Sequence, residues 1–400
     1  MSTATSDIFP LDLNATPGRP LAPWTYTNAE LLELEYATLF LRRWQFVGHI
    51  NDVPGAGDYI TSDIGRDSVV VLRDKEGELR AFLNVCRHRA SRIFTDQGNC
   101  RGVARCPYHG WTYRLDGTLM AIPQQENFPD FDRETHGLHQ LQLDVFHGFL
   151  FVRVTGAGPG VAEQFGDMAH FFEDYDVANY VRCAETTTQV WDVNWKVAWD
   201  NYQENYHIPI GHPGLHRLVV ENDDSAELSS GVNYGIFEMR DKPSRIAAER
   251  RYQEQFHCSE HRVPNELKGK WVQLGMSPNL GIDLYPEMLD LFQLVPLSVD
   301  KTLVRAIYYG PANPDADEIE LRRLNIEVND PINEEDKLLC TRVQQGLSSF
   351  AYRPGPLSQQ EISVFYFHEF MRSLLPVSKL ETAPQSGTVA SENQRLSAQS

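Results

Sequence analysis

Two short stretches of this chain each set a thiol beside an imidazole. They read Cys86-x-His88 and Cys106-x2-His109, with seventeen residues between them. Four such groups can hold metal, and their types narrow the choice. A structural zinc site would accept two thiolates and two imidazoles, although zinc ribbons and fingers pair Cys-x2-Cys with a second matching knuckle. An iron–sulfur cluster with two thiolates on one iron and two imidazoles on the other needs one ligand of each kind from each of two loops, which is what these stretches offer. Gly110, after the second pair, lets backbone approach closely, and turn amides can hydrogen-bond sulfide and thiolate and so raise the potential. The remaining reading makes all four unrelated core or surface residues.

A second constellation lies in "VNWKVAWDNYQENYHIPIGHPGL". From Asn194 to His207 there is neither Pro nor Gly, which predicts a helix with Asp200, Glu204 and His207 on one face. Pro209 and Gly211 should end that helix and let His212 turn back toward the same point. Two histidines and one carboxylate from elsewhere make the facial triad of a mononuclear non-haem Fe(II) site, with positions left open for O2. The segment "DPINEEDKLLCTRVQQGLSSF" offers the carboxylate. Read as a helix, it puts Asp336 on a stripe with Leu339, Cys340, Val343 and Leu347, whereas Glu334 points elsewhere. A buried carboxylate is costly unless paired or metal-bound, which favours Asp336 as a ligand. The alternative makes Asn333 a helix cap and Asp336 the acid at its third position. The other histidines, His49 and His368 among them, show no comparable spacing and are assigned to packing or surface.

The elements that must carry these groups follow from texture. Residues 1–45 read as an arm followed by a helix over 29–43 that starts at Asn28. Residues 46–155 contain short runs such as "SVVVLRD" and "GFLFVRV" broken by Gly and Asp turns, which predicts a small antiparallel β domain holding both Cys-His pairs. Residues 156–380 mix helical patterns with strands, and the polar tail 381–400 is expected to be disordered. The net charge of −19 argues against nucleic-acid partners and anionic membranes. No apolar run is long enough to span a bilayer, and the N-terminus lacks a secretory pattern, so the expected location is cytoplasmic. Six scattered cysteines suit a reducing compartment and a metal site better than a disulfide framework.

"NVCRHRASR", "CPYHGWTYRLDG" and "NWKVAWDNYQENYH" together resemble the Rieske non-haem iron oxygenases. The spelling is most similar to the branch of choline, glycine betaine and carnitine monooxygenases. The resemblance implies an α+β fold: a small antiparallel β Rieske [2Fe–2S] domain, plus a catalytic domain whose antiparallel sheet wraps around a long helix in helix-grip fashion. It implies a Rieske [2Fe–2S] cluster on Cys86, His88, Cys106 and His109, mononuclear iron on His207, His212 and Asp336, and O2 as cosubstrate. It also makes Glu204 the bridge between the two centres, at a position where the family usually has Asp, and places a family asparagine on Asn201. Family members form rings, so a homotrimer is expected in which His109 of one subunit faces Glu204 of the next.

No G-x-G-x-x-G stands at a strand–helix turn, so electrons should come from a separate NAD(P)H-dependent reductase, of the type with flavin and a plant-type [2Fe–2S] centre, or from a ferredoxin. The expected reaction is hydroxylation or oxidative N-demethylation of a small methylated ammonium compound, whose cation aromatic faces could hold. Ring hydroxylation of an aromatic acid by the same centres is the alternative. From other classes, a non-catalytic Rieske electron carrier and a zinc-stabilised binding module compete.

Overall fold

The structure, a computed structural model, describes residues 17–221 and 231–399. Most of the expected N-terminal arm, residues 1–16, lies outside the described residues. The chain divides into two compact units, residues 39–161 and the remainder.

The smaller unit is built from antiparallel strands. A four-stranded sheet runs in the order Leu79–Leu83, Asp67–Arg73, Asp58–Ile64, Gln97–Asn99, and two three-stranded sheets complete it. The apolar run Val69–Leu72 is fully buried, as expected of a strand covered on both faces. Val70, Leu72, Phe82, Trp111 and Tyr113 pack into one core that also contains Cys86 and Cys106. Both thiols therefore sit on rigid supports.

The larger unit carries an antiparallel sheet in the order Tyr180–Arg182, Lys301–Pro311, Leu289–Ser298, Leu280–Leu284, Lys270–Met276, Val232–Met239, Val219–Glu221, with Thr187–Trp191 also pairing with Lys301–Pro311. Phe237, Trp271 and Tyr308 of this sheet pack with Leu321, Leu324 and Val328 of a long helix, Ala316–Leu347. Asp315 and Glu318 open that helix with a reciprocal capping box. Asp336 thus lies in mid-helix, which removes the alternative that Asn333 starts a helix there.

Three sequence expectations are corrected. The helix expected over 29–43 starts with the Asn28 side chain accepting the Leu31 N–H at 2.9 Å, but its α-helical part is only Ala29–Glu35, continued by a wider π-helical turn, Tyr36–Phe40. The helix expected to reach His207 runs only Trp195–Tyr202. Beyond it, the Glu204 carboxylate accepts the His207 N–H at 3.1 Å and so offers the backbone a local turn in place of a further helical turn. Pro209 then stands in the first turn of a short helix, Ile208–Gly211, where its missing N–H costs nothing, rather than ending one.

The third correction is the tail, which was expected to be disordered. It forms a helix, Val389–Ser397, with Val389 fully buried. Glu30 accepts the Gly387 N–H at 2.7 Å, and Asn393 accepts the Val377 N–H at 3.1 Å. One apolar anchor and a few specific hydrogen bonds hold a segment whose composition reads as polar.

The helix Trp195–Tyr202 is fixed by a buried ion pair. Lys196 Nζ lies 2.6 Å from Glu35 Oε1, both side chains are almost wholly buried, and Trp195 Nε1 donates to Glu35 Oε2 at 2.8 Å. Glu35→Ala would leave a buried ammonium and an indole N–H without their acceptor. The expected loss is about 3–5 kcal/mol of stability, read as a shift of the denaturant midpoint; a loss under about 1 kcal/mol would show that the pair does not anchor the helix.

Candidate metal centres and substrate cleft

In the smaller unit the two Cys-His loops face each other. His88 Nδ1 and His109 Nδ1 lie 3.1 Å apart. The Cys86 and Cys106 thiols are hydrogen-bonded to each other. Each loop is closed by backbone hydrogen bonds, Cys86 N–H to Ser91 O and Cys106 N–H to Trp111 O, both at 2.8 Å. The tight returns require positive φ at Ala90 and Gly110. Burial would push the Cys106 thiol up, but the backbone N–H groups of Tyr108 and His109 and the Ser91 side chain hold it below its usual value. Burial does push Cys86 up, against the Tyr113 hydroxyl 3.3 Å from its sulfur. The His88 ring stacks on Trp111, with centroids 4.8 Å apart and planes 6° from parallel. Amide donors aimed at sulfur and two converging imidazole nitrogens suit a mixed-ligand [2Fe–2S] cluster.

In the larger unit His207, His212 and Asp336 come together. His207 Nε2 is 3.0 Å from His212 Nε2, and Asp336 Oδ1 is 2.9 Å from His212 Nε2 and 3.5 Å from His207 Nε2. Ligand atoms about 2.1 Å from a metal and at right angles to one another lie about 3 Å apart, so the three atoms fit one triangular face of an iron site. The other nitrogen of each ring is also held. His207 Nδ1 is 2.5 Å from Glu204 Oε1, and His212 Nδ1 is 2.8 Å from Glu335 Oε2. A carboxylate on Nδ1 keeps the proton there and leaves Nε2 free for metal. Burial disfavours the charged His207, yet hydrogen bonds to Asp336 and Glu204 push it up to about 10. The same contacts bring Asp336 below the usual carboxylate range in spite of its burial.

Glu204 was expected as a bridge; what the structure shows is that it orients His207. Asn201 places its Nδ2 3.3 Å from His207 Nε2. Glu335 went unnoticed in the sequence, because nothing local marks a partner for a histidine 123 residues away. Asp200 does not join Glu204 and His207. It accepts from Tyr26 Oη at 2.7 Å and faces His368 Nε2 at 3.1 Å. His368, assigned above to packing or surface, is buried in this network, and its Nδ1 accepts the Leu21 N–H at 3.2 Å.

The triad forms one wall of a cleft enclosing about 930 Å³, part of it open to solvent. Tyr202, Phe237, Trp271, Tyr285 and Phe292 supply aromatic surface, and Asp283 and Asp290 lie among them. The sheet register sets this lining. Asp283 pairs with Asp290, and Gly281 with Phe292, on neighbouring strands. Tyr202 stacks on Phe292 at 5.6 Å and approaches Gly281 so closely that a Cβ there would lie 2.3 Å from the ring. Burial raises Asp283 to about 6 and Asp290 well above the ordinary range, and the two share a hydrogen bond. Hydrogen-bonded to each other and buried, the two acids resist ionising together.

Residues 43–133 match the Rieske [2Fe-2S] domain family, and residues 172–376 match the ring hydroxylating alpha subunit (catalytic domain) family. The chain is a Rieske oxygenase alpha subunit. Among its relatives, the glycine betaine monooxygenase oxygenase subunit of Pseudomonas aeruginosa is 29% identical over 84% of this chain and 83% of its own length. The chloroplastic choline monooxygenase of Arabidopsis thaliana is 28% identical over 90% of this chain and 82% of its own. The fold also resembles the quaternary ammonium Rieske monooxygenase CntA, seen in complex with L-carnitine, with a TM-score of 0.74, 23% identity, and coverage of 92% of this chain and 99% of that one.

As a Rieske oxygenase alpha subunit the chain is the terminal oxygenase component, an oxidoreductase. Its cofactors are a Rieske [2Fe–2S] cluster and mononuclear iron, with O2 as cosubstrate. It works with a separate reductase on a small-molecule substrate. Among the described residues, no helix is long and apolar enough to cross a membrane.

Two predictions follow from the site geometry. In His207→Ala and Asp336→Ala the iron content should fall by one atom per chain while the visible spectrum of the cluster persists, whereas Cys86→Ser should bleach that spectrum; retention of all the iron in both triad variants would refute the assignment. The second concerns Asp283, a carboxyl raised on folding, whose stabilising contribution is present below the unfolded value near 3.9 and is lost as pH rises through about 6. The melting temperature of Asp283→Asn relative to the parent should therefore climb between about pH 4 and pH 7. A difference independent of pH would contradict it.

Proposed function

We propose that this chain hydroxylates or oxidatively N-demethylates a small methylated ammonium compound. Cys86, His88, Cys106 and His109 hold the cluster, and His207, His212 and Asp336 hold the mononuclear iron. When bound, the cluster supplies single electrons and the iron activates O2 for insertion into a substrate C–H bond. Glu204 and Glu335 fix the two imidazoles in the tautomer that presents Nε2 to metal. By the family resemblance Glu204 would connect the two centres, with His109 of one subunit set against Glu204 of its neighbour in a homotrimer. A cytoplasmic location and an NAD(P)H-dependent reductase with flavin and [2Fe–2S] centres, or a ferredoxin, complete the proposed system.

The observation that carries the substrate class is the aromatic lining beside the triad. Five aromatic rings border one cleft with Asp283 and Asp290 as well as Glu204 and Asp336, a setting in which an ammonium cation gains from aromatic surface and from negative charge. The relatives that act on glycine betaine, choline and carnitine, by their names, agree with that chemistry.

The test is a single turnover with chemically reduced, iron-loaded protein, O2, and a panel of methylated ammonium compounds and aromatic acids. Formaldehyde with a demethylated amine, or one added oxygen on an ammonium compound, is the expected product; oxygenation of aromatic acids alone would overturn the substrate class. Glu204→Gln keeps an acceptor for His207 Nδ1 but loses the charge. Its iron content should be retained while product yield falls about tenfold or more. Unchanged yield would remove Glu204 from the electron path.

A further inference from the structure

The metal centres make no use of Asp283 and Asp290. Strand register sets the two opposite each other, a placement that opposes like charges. They share a hydrogen bond. Ionised carboxylates only accept, so that bond exists only while one of the two is protonated. No Lys or Arg stands among the described residues that line the cleft. Arg322 of the long helix is turned to the carbonyls of Glu287 and Pro311, at 2.9 and 3.0 Å. The titratable neighbours of the pair are Tyr202, Tyr285, Tyr308, Cys183 and Glu287, none of which can carry positive charge. The surroundings therefore favour the protonated form.

A hydroxyl joins this pair to the helix end beside the triad. Tyr202 Oη lies 3.2 Å from Asp283 Oδ1 and 3.1 Å from Leu274 O. Tyr202 follows Asn201, whose Nδ2 is 3.3 Å from His207 Nε2. Both acids, Tyr202 and the triad border one cleft, part of it open to solvent. A phenolic hydroxyl can accept a proton on one side and give one on the other.

Insertion of oxygen into a C–H bond needs such a supply: RH + O2 + 2e− + 2H+ → ROH + H2O. The C–H and O–O bonds break, a C–O bond forms, and the second oxygen atom leaves as water with two protons. The reductase provides the electrons, and the protons originate in solvent. We infer that Asp283 and Asp290, with Tyr202, are the proton-supplying group of this cleft, giving up a proton during oxygenation and regaining it from solvent. This rests on the hydroxylation or N-demethylation reading given above and adds its proton source.

Infrared difference spectra of the iron-loaded holoenzyme, parent against Asp283→Asn and against Asp290→Asn, test whether the proton is held. The parent at neutral pH should show a protonated-carboxyl stretch that shifts in D2O and is lost in at least one variant; its absence from the parent overturns the inference. Single turnovers with choline as probe test its use. Both Asn variants, with cluster spectrum and iron content retained, should form product at least about tenfold more slowly, and Asp290→Glu should recover most of the rate. The parent's rate should fall with rising pH as the carboxyl stretch is lost, and the Asn variants should lack that fall, whereas a merely structural role would lower the rate equally at every pH. Rates within about twofold of the parent, or weaker choline binding with an unchanged rate, would make the pair a substrate contact and overturn the inference. If neither variant folds, the parent decides: rate and carboxyl stretch that titrate apart overturn it. If choline and the rest of the panel do not react, the ammonium reading falls, and the infrared spectra alone decide this inference.

Discussion

Everything in the larger unit answers to one constraint: two imidazole nitrogens and one carboxylate oxygen must be held within 3.5 Å of each other. The three side chains come from places with unrelated local preferences. His207 and His212 flank a four-residue helix, and Asp336 sits midway along a helix of 32 residues. Such a gathering needs each ring fixed in rotation as well as in position. Glu204 and Glu335 do this at the Nδ1 atoms, and their cost in buried charge is offset by the histidines they bond. The shortened helix after Tyr202 is a consequence: Glu204 can hold both the His207 N–H and its ring only if the chain leaves the helix first.

The smaller unit solves the equivalent problem with local means. Each Cys-His pair comes from one tight loop, and the loop closes on itself through backbone hydrogen bonds from the cysteine. The core beneath the two cysteines is shared, so the positions of the loops follow from ordinary strand packing. The only unusual demand is on backbone conformation, met by Gly110 and, at greater cost, by Ala90 with its positive φ. Trp111 then pins the His88 ring by stacking.

That difference explains what could be read from the sequence. The two Cys-His pairs are spaced by their loops, and spacing is visible in a sequence. His207 and His212 stand five apart and were also visible; Asp336 was singled out on an apolar stripe of which only Cys340 is buried in the structure, Val343 being exposed. The antiparallel β unit and the sheet gripping a long helix were legible through strand texture and family resemblance. Glu335 was hidden because its role depends on a packing contact between distant segments, and so were the bonds joining Tyr26, Asp200 and His368. The pairing of Asp283 with Asp290 is a matter of strand register, which alternation alone does not specify. In the tail, composition suggested disorder because one buried valine and a few specific hydrogen bonds leave almost no compositional trace.

The cleft also shows one residue type put to opposite uses by its surroundings. Asp336 is enclosed, yet two imidazoles hold it ionised, and its pKa falls. Asp283 and Asp290 have no such imidazole partners: burial raises both, and the neighbouring Asp283 raises Asp290 further. Burial acts in the same direction on all three, and only at Asp336 do the partners outweigh it. Where the partner is a ring nitrogen, the carboxylate is a permanent anion suited to a metal cation. Where the neighbour is another acid, the two resist ionising together, and both side chains border the cleft. No Lys or Arg stands among the described residues that line the cleft, and its aromatic rings add surface without adding charge, which is the setting on which the proposed ammonium substrate rests.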